Sequence, residues 1–464
     1  MYRLALTIAS LVLMPALVLS LSPTTPTKTK SKKKTVAKKK PAAVAAKVKA
    51  QANGAVAEWL DRDPIMENPG AMIPFFENLH RMKKDTGPGN VHILQYGDSH
   101  TAADDWTGTI RYLFQMKFGD GGNGFSHAGR PWSSYRRLDL KSYGSRGWYS
   151  DGLVGRQGDG MYGLSGVSLS ARRASEMIQI ATECDRAELY YLRQPGGGKL
   201  HIFDNGQSVQ EISTDGEAAP GYFKIPASPG EHLFEVRTVD RQPIRLFGWA
   251  TEKNKGVTYE TLGINGAQAS IILNWEDTIF ADHVAKRNPG LVVLAYGTNE
   301  AGNKDLSVSG YRKLFTEVIE KIRHAAPAAS ILVVGPPDRY FRGRAGWMVY
   351  QNVDIIVTAQ REAALAAGCA FWDTRERMGG KGSMQQWVYA GLGQNDHVHL
   401  TGQGYRLLGA ALFKEILGHY QTFAKVRDEP EFKLGELSSA ESLPNGRGSE
   451  RTAIHPTERE RTRN

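Results

Sequence analysis

The segment Val91-His-Ile-Leu-Gln-Tyr-Gly-Asp-Ser-His100 reads as a buried strand that runs into a loop of polar, chemistry-bearing residues. Residues 91–96 form a short apolar run, and Gly97-Asp98-Ser99 ends it where a helix can begin. Four further runs repeat the arrangement, at 257–263, 291–296, 331–335 and 369–372, each followed by a loop and a helical pattern. Tyr311, Leu314, Phe315, Val318, Ile319 and Ile322 recur at the spacing of one helix face,. Tyr405, Leu408, Leu412, Phe413, Ile416 and Tyr420 do the same near the end of the chain. Near-continuous apolar strands alternating with amphipathic helices predict an α/β unit, an open parallel sheet covered on both faces.

The alternation is broken once. Between a helix expected at about 103–118 and the run at 257–263, glycine clusters separate short alternating runs at 188–192, 200–203, 222–225, 232–236 and 244–249. Strands of that length with frequent turns predict a β-sandwich or jelly roll. Residues 130–255 are therefore expected to be a β-domain inserted between 58–129 and 256–424 of the α/β domain. Trp132, Trp148, Tyr149 and Tyr162 of the insert are expected in its core rather than on a sugar-stacking surface.

The chain has 464 residues, 41% of them hydrophobic and 23% charged, a composition that excludes collagen-like and wholly disordered classes,. Two cysteines, Cys184 and Cys369, exclude a disulfide-stapled scaffold and are expected as small buried hydrophobes,. The net charge is +10, but residues 1–57 contain Arg3, ten lysines and no acid. The rest of the chain is close to neutral, so a basic folded surface for nucleic acid is excluded.

Arg3 followed by the apolar run 4–21 and small residues at Ser20 and Ser22 has the layout of a secretory signal, or of an uncleaved N-terminal anchor, over 1–22,. Export to the periplasm or envelope is the reading preferred over a cytoplasm-facing anchor, although the lysines from Lys28 to Lys40 resist translocation. Residues 23–57, rich in Lys, Pro and Ala, are expected to be a disordered linker, with association to anionic membrane or cell-wall polymers as its functional reading. The tail 425–464 is expected to be disordered as well.

Ligands of an open parallel sheet bind beyond the carboxyl ends of its strands. Those ends carry Gly97-Asp98-Ser99-His100, then Gly263-Ile-Asn-Gly266, then Gly297-Thr298-Asn299-Glu300, and after the fifth strand Asp396-His397-Val398-His399. A serine hydroxyl needs an imidazole to take its proton, and the imidazole needs a carboxylate to orient it. A carboxylate three residues before a histidine reaches Nδ1 when the loop turns, which suits Asp396 and His399. The backbone N–H of Ser99, that of Gly266 and the amide of Asn299 offer donors for a developing oxyanion.

Gly97-Asp98-Ser99, Gly266, Asn299 and Asp396-x-x-His399, in that order, resemble the four blocks of the SGNH (GDSL) hydrolase superfamily. The longer strings Tyr96-Gly-Asp-Ser-His100-Thr, Ala295-Tyr-Gly-Thr-Asn-Glu300 and Asp396-His-Val-His399-Leu-Thr-Gly402 resemble bacterial envelope carbohydrate esterases, including peptidoglycan O-acetylesterases. The resemblance implies a three-layer α/β/α, flavodoxin-like, five-stranded sheet and a reaction that needs no metal or other cofactor. It implies Ser99 as nucleophile, His399 as base, Asp396 as orienting acid, and Ser99, Gly266 and Asn299 as the oxyanion hole. Asp98, His100 and His397 are candidates to line the pocket behind the reacting atoms; for His100 and His397 the equal alternative is that they only satisfy backbone carbonyls.

The expected activity is removal of acyl groups, foremost acetyl, from carbohydrate or peptidoglycan hydroxyls. The alternative is an O-acetyltransferase using the same acyl-enzyme. No Gly-x-Ser-x-Gly elbow occurs, against an ordinary α/β-hydrolase,. Asp98, His100, Asp396, His397 and His399 also raise a metallophosphoesterase, but Gly266 and Asn299 stand where such a site needs further ligands. A non-catalytic glycan-binding protein has no support, because every catalytic position is filled.

Overall fold

The structure, a computed structural model, describes residues 40–428 apart from residue 157. The chain divides into Met1–Lys47, of which only the start of the helix Lys40–Leu60 is described, and Val48–Asn464. All the sheets belong to the second unit. The expectations for residues 1–39 and 429–464 lie outside the described residues.

Five strands, Asn90–Gly97, Gly256–Gly263, Leu291–Ala295, Ser330–Val334 and Ala370–Trp372, form one parallel sheet in the order second, first, third, fourth, fifth. This is the flavodoxin-like winding. Alternate residues enter opposite cores, as the period of two demands. Ile93, Leu291, Val293 and Leu332 pack with Phe75, Phe114 and Leu412 of the helices Ile73–Lys83, Asp105–Phe118 and Gly402–Asp428. Leu94, Val292, Leu294 and Val333 pack with Val284, Phe315 and Ala359 of Asp277–Arg287, Val308–Ala325 and Asn352–Ala366. The result is three layers, helices on either side of the sheet.

Between the first helix pair and the second sheet strand the chain builds two antiparallel sheets. One runs Ala219–Ile225, Arg186–Arg193, Ile244–Glu252, Ser168–Ala171, Tyr149–Asp151, with Gly124–His127 also paired to Ile244–Glu252. The other runs Lys141–Gly144, Met177–Cys184, Gly230–Thr238, Lys199–Asp204, Gln207–Ser213. Leu189, Leu246 and Trp249 of the first meet Ile178, Ile180, Phe234 and Val236 of the second in a dry core. The opposite face of the six-stranded sheet is also covered. Tyr190, Leu192, Phe247 and Ala250 pack with Phe280 and Val284 of the helix Asp277–Arg287. The buried Arg287 guanidinium joins Glu252 at 2.8 Å and Glu260 beside it, one carboxylate from each sheet.

The expectations for the two ends of the described chain are corrected, and so is that for Tyr149. The part of the 23–57 linker that is described is helical, not disordered: Lys40–Leu60 is a helix. Its alanines favour helix, and Ala52 and Val56, one turn apart, are buried in the core,. At the other end the helix Gly402–Asp428 takes in residues 425–428 of the expected tail. Arg427 pairs there with Glu77 at 3.1 Å, and an Asp428 carboxylate oxygen lies 3.1 Å from His80 Nε2. Of the aromatics, Tyr162 is fully buried and Trp132 is packed against the core, whereas Tyr149 is exposed. Cys184 and Cys369 are both free and buried. Among the described residues no helix is long and apolar enough to cross a membrane.

Candidate active site

The register of the sheet brings the loops together. Gly97 stands opposite Gly263 on one side and Ala295 on the other, so three of the four loops leave the sheet at one level. Glycine is required at 97: a Cβ there would lie 2.2 Å from Thr101 Oγ1 and 2.7 Å from Ala295 O. Asp98 caps the short helix Ser99–Ala102 by accepting from the N–H of His100 at 2.9 Å. This turn sets the Ser99 side chain, half-buried, at the edge of the sheet.

Ser99 Oγ lies 3.0 Å from His399 Nε2, and His399 Nδ1 lies 2.7 Å from Asp396 Oδ2. The other oxygen of Asp396 accepts from the N–H groups of Val398 and His399 at 2.9 and 3.0 Å. The carboxylate is thus fixed by the loop that carries its partner. Burial alone would raise its pKa, but the His399 and backbone hydrogen bonds outweigh that and hold it below the usual carboxylate range,. The turn requires His397 at φ +54°, unusual for a residue with a side chain,.

Gly266 sits at φ +77° and is solvent-exposed. Asn299 Nδ2 donates to Ala267 O at 2.9 Å, and Glu300 accepts from Ala269 N–H at 2.8 Å. The loops of Gly266 and Asn299 are therefore one hydrogen-bonded unit. An amide nitrogen carries two hydrogens, so one of Asn299 remains for a ligand. A serine, an imidazole, a carboxylate and donors of this kind together can attack an ester carbonyl and stabilise the resulting oxyanion.

The three supporting residues sit in different surroundings. Asp98 is buried, and desolvation pushes its carboxyl up to about 6. His100 is buried too; desolvation first, then the fields of His399 and Arg339, press its imidazole down to about 3, so it is neutral,. Its ring lies 5.1 Å from that of His399. His397 turns away, hydrogen-bonding Asn395 O at 3.1 Å and stacking on Trp347. Among the described residues no three His, Cys, Asp or Glu side chains converge as metal ligands.

Sequence reasoning missed three neighbours. Arg339 donates to Thr298 O and lies within the fields of Asp98 and Asp396. The Tyr405 hydroxyl meets His100 Nδ1. Trp347 belongs to a hairpin, Tyr340–Gly343 with Gly346–Val349, where a plain strand-to-helix loop was expected. The turn-forming Gly343-Arg-Ala-Gly346 was the available signal,.

A GDSL-like lipase/acylhydrolase family profile matches residues 235–407, which contain Gly266, Asn299, Asp396 and His399 but not Ser99. No curated protein matches the chain in sequence. A solved structure described as a peptidoglycan O-acetylesterase is 25% identical and superimposes with a TM-score of 0.65, covering 75% of this chain and 96% of that one. A family two carbohydrate esterase from Clostridium thermocellum, solved with cellohexaose, is 11% identical with a TM-score of 0.29, covering 54% of this chain and 95% of that one. The profile lies over the part of the chain that holds three of the four loops. The chain carries an SGNH (GDSL-like) hydrolase domain, is a carboxylic ester hydrolase, and resembles the peptidoglycan O-acetylesterases.

Proposed function

We propose that the protein is a serine esterase that removes acetyl groups from carbohydrate hydroxyls, with O-acetylated peptidoglycan as the substrate class, and that it acts in the cell envelope after export. The observation that carries the reading is the continuous chain from Ser99 Oγ through His399 to Asp396, at 3.0 and 2.7 Å. The substrate class rests on the likeness to a peptidoglycan O-acetylesterase, and the location on the N-terminal apolar run.

In this mechanism Ser99 Oγ attacks the ester carbonyl while His399 Nε2 takes the hydroxyl proton. Asp396 holds His399 in the tautomer with hydrogen on Nδ1 and stabilises the imidazolium. The N–H groups of Ser99 and Gly266 and the free hydrogen of Asn299 receive the oxyanion. Collapse expels the sugar oxygen, which takes the proton from His399, and leaves acetyl-Ser99. Water, deprotonated by His399, then attacks the acetyl carbonyl; acetate leaves and the proton returns to Ser99.

The test offers O-acetylated peptidoglycan to the full chain, with and without an unacetylated acceptor glycan, and follows free acetate and acetylated acceptor. Release of acetate by the wild type and its loss by about three orders of magnitude or more in Ser99→Ala is the expected result. Acetate release unchanged in Ser99→Ala overturns the mechanism. Acetyl passing to the acceptor in preference to water makes the protein an O-acetyltransferase.

A further inference from the structure

The hairpin Tyr340–Gly343 with Gly346–Val349 stands between the fourth sheet strand and the helix Asn352–Ala366, and its base is anchored in the site. Tyr340 N–H donates to His397 O at 3.0 Å, and Arg339, next in sequence, holds Thr298 O. Both partners lie two residues or fewer from His399 and Asn299. From this base the antiparallel register carries Trp347 opposite Arg342 and Val349 opposite Tyr340.

The indole of Trp347 lies on the imidazole of His397, with ring centres 4.1 Å apart and planes inclined by 29°. That stack supports the left-handed His397 and covers one face of the indole. The indole is not enclosed. Trp347 remains 38% exposed and its neighbour Met348 47% exposed. What sets this exposed apolar surface apart from others on the chain is its place, stacked on the residue two before His399, where a bound substrate can meet it. Asp396, beside His397, is itself partly exposed, so the surface and the triad open to the same solvent.

We propose that the exposed surface of Trp347 is a stacking platform for a pyranose ring of the substrate. The ring's axial C–H groups form an apolar face that matches the electron-rich face of an indole. Its hydroxyls then lie at the edge, where the guanidinium of the exposed Arg342 can donate to them,. Stacking of the sugar away from the scissile ester supplies binding that positions the carbonyl over Ser99. The inference rests on the carbohydrate reading of the site.

Steady-state kinetics of the wild type, Trp347→Ala and Trp347→Phe are compared on an O-acetylated glycan and on an aryl acetate that carries no sugar. In Trp347→Ala, kcat/KM on the glycan should fall about tenfold further than on the aryl acetate, chiefly through KM, with partial recovery in Trp347→Phe. Equal losses on both substrates overturn the platform and leave the indole as a brace for His397. A wild-type rate on the glycan that Trp347→Ala retains also overturns it, while the carbohydrate reading stands. A wild type that cleaves the aryl acetate but not the glycan overturns both.

Discussion

The Nδ1 atom of His100 and the hydroxyl of Tyr405 lie 2.7 Å apart, and this bond holds a neutral imidazole against His399. His100 takes no proton until about pH 3, because burial and the positive fields of His399 and Arg339 disfavour its cation. It acts through His399 as a positioning residue. His100→Gln should lower kcat about tenfold while leaving the acid limb of kcat/KM in place, since no ionisation of His100 contributes above about pH 4. Displacement of that limb by a full pH unit in the variant would show that His100 titrates in the working range.

Asp396 is bound on both oxygens, to His399 Nδ1 by one and to two backbone N–H groups by the other. Asp396→Asn keeps the size and the turn but presents an amide to the imidazole and favours the wrong tautomer. A loss in kcat of about 10²- to 10⁴-fold is expected on an aryl acetate. A variant within tenfold of the wild type would remove Asp396 from the mechanism.

Glu300 is buried beneath the Asn299 loop, accepting from Ala269 N–H and the Tyr311 hydroxyl through one oxygen. Desolvation, with the field of Asp98, raises its carboxyl from 4.5 to about 7. The unfolded chain releases this proton near 4.5, and the folded one keeps it until about 7. The stabilisation is therefore complete below 4.5 and disappears as pH rises through about 7, by on the order of 3 kcal/mol. Glu300→Gln lacks the step. Urea midpoints of the two proteins should diverge in slope across that window, and parallel curves would sink the assignment.

Glu415, 5% exposed, accepts from the N–H groups of Ile65 and Met66, from Trp372 Nε1 and from Arg377. It ties the segment after the first helix to the last sheet strand. Glu415→Ala leaves the buried Arg377 guanidinium with carbonyl partners but without its carboxylate, and two backbone donors unmatched, and should cost about 3–5 kcal/mol in chemical denaturation,. A cost below about 1 kcal/mol would mean that water replaces the carboxylate without penalty.

The five parallel strands were legible because a strand buried on both faces is a continuous apolar run, as at 291–296 and 331–335. Three of the loops were legible because the strand end is followed at once by its polar residues, and the fourth because Asp396-x-x-His399 is a compact local pair beyond the fifth strand. Other features depend on distant contacts that no local pattern records. Lys40–Leu60 has the composition of a spacer and becomes a helix because Ala52 and Val56 find a core to enter. The position of Trp347 depends on His397, fifty residues later, adopting a left-handed turn. Likewise Tyr405 reads as one more apolar position on a helix stripe until its hydroxyl meets His100.

The antiparallel sheet that holds Tyr190 and Phe247 on one side and Leu189 and Trp249 on the other serves two interiors at once. Trimming the insert away would uncover one side of the helix Asp277–Arg287 and leave Arg287 without one of its two carboxylates. The far sheet, around Phe234, contributes its inner residues to the insert's own core alone. A substitution in the near one reaches the insert's interior and that of the α/β layers together.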